Sequence, residues 1–163
     1  MSLPIAYEDA IDLLDADHKA VKKLFIDFNG LVEEDASPAE KQAIALKICR
    51  ELTVHAQLEE QVFYPRVREA IGDDALMDEA VLEHAQAKDL IAQIEEMEAD
   101  DEAFDATVKQ LGDDIDHHVQ EEREQIFMKA KLAALDLRGM VPDLVKRKQL
   151  LKKKAAAASK EAA

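Results

Sequence analysis

This 163-residue chain has no tryptophan, a single cysteine, four glycines, four prolines, two tyrosines and five phenylalanines. The lone Cys49 excludes an intrachain disulfide and any zinc or iron–sulfur site built from several cysteines. Little glycine, proline or β-branched residue, beside abundant Ala, Leu, Glu, Asp and Lys, speaks against a turn-rich β fold and for helices. No apolar stretch approaches the roughly 18–20 residues that span a bilayer. The segment Met1–Asp9 shows no basic region followed by an apolar run, so no secretory signal is expected. Basic side chains are also in deficit, 21 Lys and Arg against 36 Asp and Glu, for a formal charge of −15. That balance argues against nucleic acid or an anionic membrane as the main partner. No nucleophilic triad, phosphate-binding glycine loop or nucleotide fingerprint occurs. The expectation is a soluble cytoplasmic protein, whose 48% hydrophobic content supports a packed core.

The charge is unevenly placed. Residues 1–140 hold 14 basic and 34 acidic side chains, whereas residues 141–163 hold 7 and 2. Within the acidic body the breakers separate four long periodic segments. The first runs from about Tyr7 to Val32 through Ile11, Leu14, His18, Val21, Phe25 and Phe28. The second opens on the capping-box pattern Ser37-Pro38-Ala39-Glu40 and continues through Ile44, Ile48, Leu52, His55, Glu59 and Val62 toward Glu69, with a kink expected at Pro65. After Ile71-Gly72-Asp73-Asp74 comes the third, through Met77, Val81, His84, Ile91 and Ile94 to about Glu98. The fourth, capped at Asp100 or Asp101, carries Phe104, Val108, Leu111, Ile115, His118, Glu122 and Ile126. Short connections between such segments predict an all-α, up-down-up-down four-helix bundle over residues 1–140. Residues 141–163 are expected as a short helix from Pro142 to about Leu151 and a basic, partly disordered tail lying over the acidic body.

Six polar residues interrupt the apolar stripes. Each segment turns one histidine inward (His18, His55, His84 and His118), and Glu59 and Glu122 follow one turn after His55 and His118. Residues four apart share a helix face, roughly 5–6 Å apart at Cβ. A carboxylate inside a bundle is costly unless paired or bound to a cation, and no arginine interrupts the central stripes. A buried His–Glu hydrogen-bond network is one way to meet that cost. Taken as a set, four imidazoles and two carboxylates converging on one site favour a pair of metal ions over that network. Spacing supports a shared site, since His18 to His84 spans 66 residues and both His55 to His118 and Glu59 to Glu122 span 63. Local text repeats as well, with the run from His55 to Tyr64 aligning on that from His118 to Phe127.

The pattern His18…His55-x-x-x-Glu59…His84…His118-x-x-x-Glu122, over roughly residues 8–135, resembles the hemerythrin-like (HHE cation-binding) domain. The resemblance implies a metal centre of two iron ions. His18 and His55 would bind one ion and His84 and His118 the other, with Glu59 and Glu122 bridging beside an oxygen atom. Manganese and zinc remain chemical alternatives. The partner so implied is dioxygen or a related small oxidant, in sensing, storage or detoxification. A weak di-iron oxidase or peroxidase and a metal-dependent regulatory module are the competing readings; the oligomeric state is left open. Lys88 stands where oxygen-carrying members place a fifth histidine, which disfavours reversible oxygen carriage.

Several neighbours have plainer expectations. His117, flanked at one-turn spacing by Asp113, Asp114, Gln120 and Glu121, is expected on the surface, with Glu60 and Glu121 on outer faces. Cys49 reads as a small buried side chain. Phe25, Phe63, Phe104 and Phe127 are core residues with the alternative of lining the pocket, and Gly112 either permits a close helix approach or is simply a tolerated glycine.

Overall fold

Asp9 opens the first helix by accepting a hydrogen bond from the Asp12 backbone N–H at 2.9 Å. In the computed structural model, which describes residues 7–162 with side chains through residue 158, this helix is α1 (Ala10–Glu33). The capping box forms as its pattern predicts. Glu40 N–H donates to Ser37 Oγ at 3.3 Å and Ser37 N–H to Glu40 Oε2 at 3.2 Å, starting α2 (Pro38–Leu58). A π-helical turn, Glu59–Phe63, joins α2 to α3 (Tyr64–Ile71) without a break. Gly72 ends α3 at φ +64°, a left-handed conformation that suits glycine, and Asp73 caps α4 (Asp74–Glu96). Helix α5 (Phe104–Glu121) passes through a second π-turn, Glu122–Phe127, into α6 (Met128–Leu132). Helix α7 (Val141–Ala162) completes the chain, and every regular element among the described residues is helical.

Some expected boundaries move. Neither Asp100 nor Asp101 caps α5; the Asp101 side chain accepts from Ala103 N–H at 2.8 Å and shapes the preceding turn. The fourth bundle helix stops at Leu132, because Ala133 and Ala134 turn the chain, Ala134 with φ 57°. The Leu137 carbonyl then accepts from Ala10 N–H at 2.9 Å, pinning this loop to the start of α1. The last helix is not short. It continues past Leu151 through the lysines to Ala162, and the alanine-rich run has the propensity to carry it there; Ala163 lies outside the described residues.

The bundle closes as a ring: α1 packs on α2, α2 on α4, α4 on α5 and α5 on α1. Its interior divides into two apolar clusters. One contains Leu13, Leu14, Leu58, Phe63, Met77, Phe127 and, from α7, Leu144 and Leu151. The other contains Val21, Phe28, Ile48, Leu52, Ile91, Ile94, Phe104 and Leu111. Along every bundle helix the change from one cluster to the other falls at or within a residue or two of an inward histidine. A polar layer thus crosses the middle of the core. Two stripe residues sit differently from their sequence reading: Val32 and Val81 are exposed, and Ala80 and Ala87 face inward on α4 in place of Val81. Small alanines let α4 approach closely and contribute little to a hydrophobic stripe. Gly112 admits the Phe25 ring, which would lie 3.1 Å from an added Cβ.

Candidate metal centre

The polar layer consists of His18, His55, Glu59, His84, His118 and Glu122. These are the buried polar or charged side chains among the described residues, all at most 8% exposed. One donor atom from each of His18, His55, Glu59 and Glu122 lies within 4.8 Å of the others, and so do those of Glu59, His84, His118 and Glu122. The two groups share Glu59 and Glu122. Nε2 of His18 faces Nε2 of His55 at 3.1 Å, and Nε2 of His84 faces that of His118 at 3.2 Å. Glu59 Oε1 lies 3.2 Å from His55 Nε2 and 3.3 Å from His84 Nε2, across the divide between the histidine pairs. Glu122 does likewise, with Oε1 3.2 Å from His18 Nε2 and Oε2 3.5 Å from His118 Nε2.

Each ring is oriented from behind by a carboxylate that accepts a hydrogen bond from its Nδ1–H. Asp15 does so for His18 at 3.2 Å, Asp17 for His55 at 3.0 Å, Glu60 for His84 at 3.0 Å and Glu83 for His118 at 2.7 Å. With Nδ1–H so engaged, every Nε2 directs a lone pair into the layer. Two lone pairs facing each other at about 3 Å repel unless a cation lies between them. The carboxylates need one too: Glu59 Oε1 and Oε2 and Glu122 Oε1 are buried without a hydrogen-bond partner. In the metal-free protein protons partly meet this need. Burial lowers proton affinity, but Glu59 and Asp17 outweigh it and raise His55 well above the ordinary imidazole range. Against the same burial, Glu122, then Glu59 and Glu83, push His118 up to about 9. Burial would raise Glu122, yet His118 and His18 hold it well below the usual carboxylate range. The donor set therefore fits bound cations, with imidazole nitrogens for each of two ions and carboxylates between them.

The carboxylates behind the rings are themselves held. Arg123 Nε donates to Asp15 at 2.8 Å, Lys148 Nζ to Asp17, and Lys88 Nζ to Glu60 at 2.8 Å. Lys88 thus aims its ammonium away from the centre and acts on His84 through Glu60, whose carboxyl is lowered by His84 and Lys88. Lys148 belongs to α7, so the helix expected as an extension reaches the residues that support the centre.

Sequence reasoning missed Tyr64. Its hydroxyl donates to Glu122 Oε2 and lies 3.3 Å from His84 Nε2 and 3.4 Å from His118 Nε2. The π-turns explain this placement. A π-turn holds more residues than an α-turn, so residue i+5 comes onto the face of the glutamate at i. In the first turn that residue is Tyr64, stacked on His84 with centroids 5.2 Å apart. In the second it is Phe127, stacked on His18 at 6.2 Å. The widening begins at the glutamate in both halves and only the first contains a proline, so Pro65 alone does not cause it. Tyr64 and Phe127 are 63 residues apart, as Glu59 and Glu122 are; a phenol aligned on a phenyl ring was the available signal. The centre is symmetric in its histidines and glutamates and asymmetric in this hydroxyl.

On the side away from Tyr64 a cavity of about 30 Å³ lies against all four histidines, walled largely by Leu52, Ile91, Ile115 and Val119, with Asp17, Thr53 and Lys88 at its edge. A groove of about 440 Å³ between α1 and α5 leads from solvent to His18 past Lys22, Phe25 and Arg123. Of the four phenylalanines offered as possible pocket residues, Phe127 alone stacks on a site histidine; Phe63 packs behind it, Phe25 lines the groove, and Phe104 sits on Phe28 in the other apolar cluster. His117 is 67% exposed. Cys49 is buried, and burial and then Glu95 push its thiol up to about 12.

Residues 9–130 match the family model described as the Hemerythrin HHE cation binding domain. A DNA nickase from Nostoc sp. is 32% identical over 116 residues, covering 71% of this chain and 32% of that protein, so the chain spans about a third of its relative's length. In fold, the chain is similar to the crystal structure of a hemerythrin HHE cation binding domain-containing protein from Mycobacterium kansasii. The two share 18% identity, with a TM-score of 0.75 over 91% of this chain and 90% of that one.

Proposed function

This chain belongs to the Hemerythrin HHE cation binding domain family, and on that basis we propose that it is a non-haem di-iron protein that binds dioxygen or a related small oxidant. One observation carries the reading: three buried carboxylate oxygens without hydrogen-bond partners stand among four Nε2 atoms that face one another in pairs. His18 and His55 would hold one ion, His84 and His118 the other, and Glu59 and Glu122 would serve both. Iron, when bound, supplies one-electron redox chemistry with oxygen-class ligands. The chain supplies the rest. Asp15, Asp17, Glu60 and Glu83 fix the rings, and the largely apolar walls of the small cavity leave room beside them for only a small ligand. That cavity matches a diatomic or a water or two, since one water needs about 10–15 Å³. Tyr64 keeps a proton beside Glu122, because burial and then Glu122 and Glu59 hold its hydroxyl well above the ordinary phenol range.

Metal analysis with a visible spectrum of protein purified in air tests this. Two irons per chain with visible charge-transfer bands are expected, and Glu122→Ala or Glu59→Ala should abolish two-metal binding. Stoichiometric zinc, or no metal after anaerobic iron loading, would reject iron.

A further inference from the structure

Three of the four carboxylates that orient the histidines end on a cation of the chain: Asp15 on Arg123, Asp17 on Lys148 and Glu60 on Lys88. Glu83, behind His118, has no lysine or arginine partner among the described residues. It stands instead with His117 and Glu121. These two form another His-x-x-x-Glu pair, displaced by one residue from His118 and Glu122, with His117 Nε2 3.2 Å from Glu121 Oε1. One donor atom from each of Glu83, His117 and Glu121 lies within 4.8 Å of the others. A cavity of about 70 Å³, lined outside by Asp114 and His117 and inside by His84 and His118, connects this cluster to the rings of the buried centre.

We propose that Glu83, His117 and Glu121 hold a divalent cation at the surface, taking the place that a lysine or arginine takes behind the other three histidines and supplying metal to the His84–His118 half. One imidazole and two carboxylates suit Fe²⁺, Mn²⁺ or Zn²⁺. The exposure of His117 leaves water on the ion, which makes it weakly held and exchangeable, as a transit position requires. A bound cation also gives Glu83 the counter-charge that its three equivalents have. The supply role, though not the surface site, rests on the buried centre proposed above.

The test titrates metal-free full-length protein with Zn²⁺ by calorimetry, in the wild type, His117→Ala and Glu122→Gln. A tight phase and a separate, weaker event of one ion per chain are expected in the wild type. His117→Ala, an exposed change, should weaken that event by about tenfold or more and spare the tight phase; Glu122→Gln should do the reverse. A wild type lacking the weaker event, or its persistence at unchanged affinity in His117→Ala, overturns the surface site. Absence of the tight phase with the weaker event intact rejects the buried centre and leaves the surface site standing. Anaerobic Fe²⁺ uptake followed in time should be slowed several-fold in His117→Ala with the same final iron content. An unchanged rate overturns the supply role.

Discussion

Tyr64 and Phe127 occupy equivalent positions in the two halves and differ by one oxygen atom. That oxygen donates to Glu122 Oε2, so Tyr64→Phe leaves a further buried carboxylate oxygen without its donor. In the metal-free protein the change should cost about 1–3 kcal/mol, measured by denaturant unfolding. In the iron-loaded protein it should shift the visible spectrum without lowering the metal content, since the histidines and glutamates are untouched. Lys88 is the other residue whose meaning depends on where its charge points. Its position invites comparison with a ligand, yet its ammonium lies 2.8 Å from Glu60 and the side chain is 47% exposed. Lys88→Ala should therefore keep two-metal binding and act through His84, seen as a modest change in the reduction potential of the loaded protein.

Among the elements, two features shape the centre. The π-turns at Glu59–Phe63 and Glu122–Phe127 put an aromatic residue over a histidine in each half. Helix α7 adds Leu144 to the core and Lys148 to the support behind His55. Leu144 is fully buried, so Leu144→Ala should cost about 2–5 kcal/mol by chemical unfolding. Lys148→Met tests the polar contact. Burial would raise the Asp17 carboxyl, but His55 and Lys148 hold it low, so loss of the ammonium should cost about 2 kcal/mol. It should also strengthen the His55 donor and lower the potential of the loaded centre. An unchanged potential would confine Lys148 to holding the helix.

For the whole molecule, the charge of −15 is a surface property with a concentrated exception inside. On the proposed function the buried layer would exchange protons for metal, which gives a pH dependence of definite sign. His118 titrates at about 9 in the folded metal-free protein and near 6.5 when unfolded, so its contribution to stability is fully present below about pH 6.5 and lost as pH rises through about 9. His55 and His84 shift in the same direction. The metal-free protein should melt lower at pH 9.5 than at pH 6, by an amount worth a few kcal/mol. The loaded protein, with neutral rings on metal, should lack this decline, and metal affinity measured by chelator competition should rise over the same window. No helix among the described residues is long and apolar enough to cross a membrane.

Residue order alone specifies the helices, their approximate succession in the bundle and the six converging residues. The reason is that a histidine or glutamate in an apolar stripe is visible wherever the helical period is regular. The period also misled where it carried little signal: Val81 for Ala80 and Ala87 on α4, and a partly disordered tail for the long α7. Packing between helices selects which outward carboxylate stands behind which ring, because Asp17, Glu60 and Glu83 lie on other helices than the histidines they orient. It likewise points Lys88 away from the centre and Tyr64 into it. A π-turn shifts the register of every downstream residue by a fraction of a turn, and a long side chain chooses its partner across helices. Neither is written in the spacing of residues along one of them.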